Sequence, residues 1–244
     1  MGRLVSVITP TTGHAFLEDA VKSVANQSYG PIQHLIVIDG SERAERARAI
    51  LADHPVDIIE LPYATGADRF NGHRIYGAAT YLCKGDLICF LDEDNWMDAA
   101  HIESLVRVIE KGNAWAFSLR NIFDQDGNFI CRDDCESLGK WPSVLSPKDY
   151  FVDVNCFMLP KDVAIKVSPA WYRKNREPGV VEVDRMITGV LRANARRYDS
   201  NYRYTLNYRA GNTERSVKPK FFLNGNAKMA KVFPNGFPWD RSAQ

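Results

Sequence analysis

Three consecutive acidic residues, Asp92, Glu93 and Asp94, follow an apolar run at residues 87–91. Such a run predicts a buried strand, which would hold the acids at a sheet edge facing a crevice. Neighbouring carboxylates repel one another, and a hard divalent cation shared with substrate phosphates would relieve that repulsion. A solvated turn that caps the following helix explains the same residues equally well.

Polar residues also follow two other predicted strands. Thr9 and Pro10 end the first strand, where proline interrupts the ladder and leaves backbone groups free to face a ligand. Asp39 ends the second. A carboxylate there could accept hydrogen bonds from a base or ribose, or merely begin the next helix.

Two common nucleotide motifs are absent from the sequence. It contains neither G-x-G-x-x-G after the first strand nor G-x-x-x-x-G-K-[ST], which disfavours dinucleotide dehydrogenases and P-loop phosphotransferases. Without a glycine-rich cradle, a bound diphosphate would need a metal ion and basic side chains.

The segments that would position these residues alternate between strand and helix over the first 120 residues. Apolar runs predict strands at residues 4–9, 34–39, 56–61, 86–91 and 114–122, and helical periodicity predicts helices at residues 16–26, 42–53, 69–82 and 98–111. This alternation with short connections is typical of a parallel sheet covered by helices.

From about residue 124 the pattern changes. An Asp-Gln-Asp-Gly-Asn turn predicts a hairpin, and we expect a strand at 153–159, a helix at 180–193 and a short strand at 203–208. The sequence therefore predicts a single α/β domain with a Rossmann-like, mostly parallel sheet and flanking helices. The tail at residues 211–244 is expected to pack on this domain or against a second subunit, which would make the protein a homo-oligomer.

The bulk composition is that of a globular protein. At 244 residues and 45% hydrophobic content, the chain is long enough to bury a core. It has no apolar stretch near the roughly 20 residues that span a bilayer and no signal-peptide core, which predicts a cytoplasmic protein without a transmembrane segment. Five cysteines, an odd number, favour reduced thiols over a disulfide framework.

Charge is unevenly distributed along the chain. Residues 1–160 carry 14 Lys and Arg against 23 Asp and Glu, whereas residues 161–220 carry 14 against 6. The net charge of only +1 disfavours nucleic acid as a partner. An acidic half that holds a metal ion and a basic half that closes over a diphosphate would explain the split, as would ordinary surface charge.

Four segments carry a resemblance to a known family: Val-Ser-Val-Ile-Thr-Pro-Thr from residue 5, Leu-Glu-Asp-Ala-Val-Lys-Ser-Val-Ala-Asn-Gln-Ser-Tyr from residue 17, Ile-Val-Ile-Asp-Gly-Ser from residue 36, and Gly-Asp-Leu-Ile-Cys-Phe-Leu-Asp-Glu-Asp from residue 85. Together they resemble the family 2 glycosyltransferases of GT-A fold, closely over about residues 4–110. The resemblance implies a nucleotide-sugar donor, usually a UDP sugar, with Mn²⁺ or Mg²⁺, and inversion at the anomeric carbon. Residues 1–122 would then bind the donor, and residues 123–210 would form an acceptor-side subregion.

The resemblance also implies roles for the strand-end residues. Thr9 and Pro10 would line the nucleoside pocket and Asp39 would bind the base. In the D-x-D motif, Asp92 would lie near the ribose and the metal, and Asp94 would be the direct metal ligand. The intervening glutamate should point the other way.

Further residues are assigned to the donor side by position. Asp68 and Arg74 precede or begin the helix that leads to the D-x-D strand and would line the donor site, with helix capping and a surface salt bridge as the alternative. Arg209 and Arg215 lie in a basic segment that could contact the diphosphate by bidentate hydrogen bonds, or form a solvated tail.

An inverting transfer needs one carboxylate to take the proton of the acceptor hydroxyl. The family commonly has a Glu-Asp pair at the start of a helix in its second half, and here valine separates Glu182 from Asp184. Either could be the base; Asp184 is favoured. Both could instead only stabilise the helix dipole.

Acceptor binding is assigned to residues near these acids. Asp153 and Asn155 could hold the acceptor sugar, or form a turn at a strand end. Trp96 follows the three acids directly and could stack on a sugar ring, although large aromatic residues more often belong to the core.

These expectations converge on a metal-dependent inverting glycosyltransferase that acts on a hydroxyl acceptor such as a glycan, as in polysaccharide biosynthesis. Two alternatives stay open. A sugar-phosphate nucleotidyltransferase also uses an α/β sheet and carboxylate-bound Mg²⁺, but normally has a basic, glycine-rich loop after its first strand. A nucleotide- or glycan-binding module with structural Ca²⁺ would perform no chemistry.

Overall fold

The computed structural model describes residues 2–67, 70–173, 183–214 and 216–241. Its strands are β1 (Val5–Thr11), β2 (Ile32–Ile38), β3 (Asp57–Glu60), β4 (Leu87–Phe90), β5 (Trp96–Met97), β6 (Trp115–Phe123), β7 (Phe129–Arg132), β8 (Phe157–Pro160) and β9 (Tyr198–Arg209). Its α-helices are α1 (Leu17–Ala25), α2 (Ala44–Leu51), α3 (His73–Ala79), α4 (His101–Glu110), α5 (Lys161–Val167), α6 (Val183–Asn194) and α7 (Pro219–Val232).

The strands form one mixed sheet in the order β3-β2-β1-β4-β8-β6-β9-β5, with β7 paired to β6. The four strands from β3 to β4 are parallel, as are β6 and β9, whereas β8 runs antiparallel to both of its neighbours. The α/β class predicted from the sequence is confirmed. The antiparallel β8 joins the parallel half of the sheet to the later half.

The parallel half folds as its apolar runs dictate. Val5, Val7 and Ile8 of β1 are fully buried, as expected for strands covered on both faces. In α1, Leu17 and Ala20 are likewise buried, because apolar residues at helical spacing turn one face toward the sheet.

The carboxyl ends of β1, β2 and β4 meet at one edge of the sheet. Ile8 of β1 pairs with Phe90 of β4, and Thr11 pairs with Ile38 of β2. The residues just beyond these strands, Asp39 and Asp92 among them, therefore emerge side by side.

The later half departs from the expected elements. Residues 153–159 do not form a continuous strand: Asp153 accepts a hydrogen bond from the Asn155 amide at 2.9 Å and starts a 3₁₀ turn at Val154–Cys156 before β8 begins. An Asp side chain competes here with the sheet for a backbone donor. The sequence pattern also missed α5 and α7, each of which begins directly after or at a proline. For α6, the expected start at residues 180–182 lies outside the described residues.

The final segment packs on the same core. Phe222 of α7 and Trp239 are fully buried within the main hydrophobic cluster. Across the described ranges, no helix is both long enough and apolar enough to cross a membrane.

Candidate active site

A cleft of about 1090 Å³ opens at the carboxyl edge of the parallel strands. The ends of β1, β2 and β4, the start of α3, the first turn of α6 and the segment after β9 all line it. Among its lining residues are six of those that the sequence predicted for the site: Pro10, Asp39, Asp92, Asp94, Asp153 and Asp184. They come from segments far apart in the sequence, so the fold gathers them.

One end of the cleft is built around Asp39, which is 5% exposed. Its Oδ1 accepts hydrogen bonds from the amide of Thr65 at 2.6 Å and from its hydroxyl at 2.8 Å. Asp39 Oδ2 lies 3.4 Å from the point where a Cβ on Gly66 would stand, and that Cβ would be 3.0 Å from the Asn71 carbonyl oxygen. Glycine therefore keeps this wall open beside the carboxylate.

Two residues assigned to the donor side, Thr9 and Arg74, do not line the cleft and instead contact neighbouring protein groups. The Thr9 hydroxyl lies 3.0 Å from His34 Nε2 within the sheet, and Thr9 is fully buried. Arg74 donates to the Thr65 carbonyl at 2.8 Å and stacks over the Phe70 ring at 3.9 Å. It thus supports the loop that holds Asp39. Asp68 lies outside the described residues.

Asp92 is held from two sides. Tyr76 donates its hydroxyl to Asp92 Oδ1 at 2.6 Å, and Asn155 Nδ2 donates to Asp92 Oδ2 at 2.8 Å. Burial, reinforced by the charge of Asp94, raises the pKa of Asp92 to about 7. The carboxylate is fixed in place but costly to ionise.

Asp94 is likewise only partly exposed. Asn212 Nδ2 donates to Asp94 Oδ2, and Arg209 Nε donates to the Asp94 carbonyl at 3.1 Å. Burial raises the pKa of Asp94, and the charge of Glu93 adds to the effect. The segment after β9 thus reaches back to the second acid.

Glu93 points toward the loop that follows β1. It accepts hydrogen bonds from the Thr11 hydroxyl at 2.5 Å, from the Thr12 amide and hydroxyl at 3.0 and 2.6 Å, and from the His14 amide at 3.0 Å. The motif's central residue therefore joins two strand ends.

Among the residues that the structure describes, no group of three or more His, Cys, Asp and Glu side chains is arranged to hold a metal ion. Asp92 and Asp94 nevertheless fit an oxygen-preferring cation, because both are partly buried carboxylates that line the cleft and have raised pKa values. A divalent charge would reverse that shift. One or two carboxylates with substrate phosphates are the usual Mg²⁺ ligands.

Asp184, in the first turn of α6, lines the same cleft. Its Oδ1 lies 2.7 Å from Nε2 of His73, the first residue of α3. Burial and the negative charges of Asp153 and Asp92 raise the pKa of Asp184 well above its ordinary value. Sequence reasoning missed His73, and Glu182 lies outside the described residues.

Asp153 and Asn155 belong to a buried polar network. Arg120, only 2% exposed, binds Asp153 Oδ2 and also pairs with Asp133 at 2.8 Å and Glu136 at 2.7 Å. Asn155 Nδ2 donates to Asp153 Oδ1 at 2.8 Å. A charged residue within the apolar run of β6 is the sequence signal for such a network, because a buried charge requires partners.

Two further predicted residues lie behind the cleft wall. Trp96 packs against Phe123 with ring centroids 4.7 Å apart, and the Arg209 guanidinium lies 4.9 Å from its ring. Arg209 is 4% exposed, and its guanidinium also binds Asp19 at 2.8 Å and the Gln125 carbonyl at 2.9 Å. Arg215 lies outside the described residues.

The mixed α/β sheet carries its acids at the carboxyl edge of the parallel strands, where they line one large cleft, and this is the layout expected for the GT-A fold. The family model for glycosyl transferase family 2 matches residues 6–153, more than half of the chain. The chain therefore belongs to that family, and the resemblance expected from the sequence is confirmed.

Several solved structures share the fold. Residues 1–349 of TarS from S. aureus match with a TM-score of 0.62 at 14% identity, over 95% of this chain and 66% of that one. The same segment in complex with UDP-GlcNAc matches with a TM-score of 0.63 at 14% identity, over 95% and 67%. The mannosyltransferase PcManGT from Pyrobaculum calidifontis, in complex with GDP-Man and Mn²⁺, matches with a TM-score of 0.60 at 13% identity, over 96% and 65%. The chain thus spans about two thirds of their length. No curated protein sequence matches it.

Proposed function

We propose that the protein is a metal-dependent inverting glycosyltransferase that moves a sugar from a nucleoside diphosphate, UDP in the first instance, to a hydroxyl acceptor such as a glycan. The observation that carries the proposal is the set of acids in one cleft: Asp92 and Asp94 follow β4, and Asp184 lines the same cleft from the first turn of α6. The neighbours that bind UDP-GlcNAc and GDP-Man with Mn²⁺ support the donor class and the cation.

The donor would lie along the edge of the sheet. We assign Asp39 to nucleobase recognition, since its Oδ2 borders the open wall at Gly66 and can accept an N–H from a nucleobase. Pro10 lines the same part of the cleft. Asp94 and Asp92 would hold Mn²⁺ or Mg²⁺, which supplies the positive charge that stabilises the leaving diphosphate.

The acceptor would approach from the side of α6. Asp184 takes the proton of the acceptor hydroxyl while that oxygen bonds to the anomeric carbon. The bond from this carbon to the diphosphate oxygen breaks on the opposite face, and its electron pair leaves with the nucleoside diphosphate, so the configuration inverts. Asp153 lines the same cleft as Asp184, and we assign it to the wall that contacts the acceptor.

A screen of nucleotide sugars with Mn²⁺ tests the proposal. Wild-type protein should release free nucleoside diphosphate, by transfer to an added glycan or by slow hydrolysis, and Asp184→Asn should bind UDP with Mn²⁺ normally but release none. Proton NMR of the product should show the anomeric configuration inverted. Pyrophosphate release from a nucleoside triphosphate mixed with a sugar 1-phosphate would instead indicate a nucleotidyltransferase, and binding of a nucleotide sugar without any release would indicate a binding module.

A further inference from the structure

His73 and Asp184 make a close contact in the wall of the cleft. His73 Nε2 lies 2.7 Å from Asp184 Oδ1, and the two side chains are 14% and 25% exposed. Asp184 Oδ1 itself is buried, so the exposed part of the side chain belongs to its other atoms. The His73 ring is held edge-on against Trp171 at 5.8 Å. Packing thus presses the imidazole against one carboxylate oxygen.

The short separation requires a proton between the two atoms, because two bare lone pairs would repel at this distance. Burial lowers the pKa of His73 to about 4, so the ring is neutral at pH 7 and carries one N–H. Its Nδ1 is buried without a hydrogen-bond partner among the described residues. An N–H there would be an unsatisfied donor, which buried groups avoid. The proton therefore belongs on Nε2, facing Asp184.

The contact is close but not aligned as a hydrogen bond, since Asp184 Oδ1 has no partner of normal angle in the part of the chain that the structure describes. Rotation about the last torsion of histidine is soft. A modest turn of the ring would direct its N–H at the oxygen.

We propose that His73 is a positioning residue that donates Nε2–H to Asp184 Oδ1, keeping the carboxylate ionised and its Oδ2 free for the acceptor hydroxyl. This inference rests on the proposed function, in which Asp184 is the base. During transfer the acceptor O–H bond breaks and its proton moves to Asp184 Oδ2, while His73 keeps its own proton.

The electrostatic surroundings explain why Asp184 needs such a donor. In the described part of the chain, the charged or titratable groups that act on it include Asp92, Asp153, Glu136, Arg120, Tyr76 and His73. The three acids and burial favour the protonated form, and the charge of Arg120 opposes them. A directed N–H stabilises the ionised form and so restores a usable base.

The pH dependence of kcat/KM, measured by release of nucleoside diphosphate from the donor, tests this role. His73→Leu removes the donor and should move the acidic limb of the profile to higher pH by about one unit, with about a tenfold loss at neutral pH that high pH restores. His73→Gln, which places an N–H near the same point, should return the limb toward that of the wild type. UDP affinity with Mn²⁺ should stay unchanged in both, and His54→Leu serves as a control outside the cleft. An unmoved limb in His73→Leu, or a Gln variant as impaired as Leu, would overturn the role.

Nitrogen-15 NMR of the imidazole rings gives a readout that needs no activity. His73, assigned by the signals lost in His73→Gln, should show the Nε2–H tautomer from pH 5 to pH 8. An Nδ1–H tautomer, or a ring that titrates near pH 6.5, would overturn the contact. If the wild-type protein turned over none of the nucleotide sugars, the proposed function would fail. The NMR result would still show whether His73 donates its N–H to Asp184.

Discussion

Asn155 forms two hydrogen bonds with Asp92. Its Oδ1 accepts from the Asp92 amide at 2.5 Å, and its Nδ2 donates to Asp92 Oδ2 at 2.8 Å. The same Nδ2 donates to Asp153 Oδ1, whose other oxygen binds Arg120. A buried arginine in β6 is thereby linked through two side chains to the acid at the end of β4.

Asp92 depends on Asn155 for its orientation. Asn155→Ala should weaken Mn²⁺-dependent UDP binding by about 10- to 100-fold, the usual effect of removing a group that orients a metal ligand. Titration calorimetry with UDP and Mn²⁺ measures it. Asn194→Ala is the matched control, because Asn194 is an exposed residue of α6 whose amide contacts only the Val190 carbonyl among the described groups. Equal affinities in the two variants would contradict the support role.

Asp94→Asn tests the metal assignment directly. The substitution keeps the shape of the side chain and removes its charge, so UDP binding should lose its dependence on Mn²⁺ while circular dichroism shows an intact fold. Asp126→Asn, in the exposed turn before β7, should behave as wild type. If Asp94→Asn retained Mn²⁺-stimulated binding, another residue would have to be the ligand.

Gly66→Ala should weaken UDP binding without unfolding the protein. The new Cβ would stand 3.0 Å from the Asn71 carbonyl oxygen and 3.4 Å from Asp39 Oδ2, so it narrows the wall assigned to the base. We expect about a tenfold loss, or about 1.4 kcal/mol. Gly189→Ala in α6 meets no atom within 4 Å and should instead raise stability by about 0.5–1 kcal/mol. Unchanged UDP affinity in Gly66→Ala would mean that the uracil ring binds elsewhere.

A buried histidine predicts acid sensitivity. Burial lowers the pKa of His101 from 6.5 to about 4, so this neutral ring contributes stability above pH 6.5 that is lost as the pH falls toward 4. Wild-type protein should lose unfolding free energy on acidification. His101→Asn, which can keep the contact to Thr205, should lose less, by up to about 3 kcal/mol. Urea unfolding at pH 7 and pH 4.5 measures the difference, with His54→Asn as control. If wild type and His101→Asn lost equal unfolding free energy between pH 7 and pH 4.5, His101 would not be the source of the acid sensitivity.

Much of the fold could be predicted because the strands of the parallel half are continuous apolar runs that end in polar residues. Asp39, Asp92 and Asp94 were found for that reason, since position at a strand end is a local property. The partners of these acids could not be found. Tyr76 and His73 reach the site only through the packing of α3, and nothing in the local sequence distinguishes them from core residues.

The later half was harder to predict because its elements depend on tertiary contacts. Arg120 interrupts the apolar pattern of β6, yet its three carboxylate partners lie beyond the strand and cannot be identified by spacing. In α7, glycine and asparagine weaken the helical pattern, and the helix forms because it buries Phe222.

Glu93 has a consequence for protein engineering. Its four hydrogen bonds fasten the loop after β1 to the acid-bearing end of β4, so these two segments of the cleft wall are joined. A chimaera that imports residues 11–14 from another enzyme to change donor choice would have to import a compatible partner for Glu93 as well. If the donor binds as proposed, its recognition would be exchanged as a module of two loops, because a single graft would disturb both.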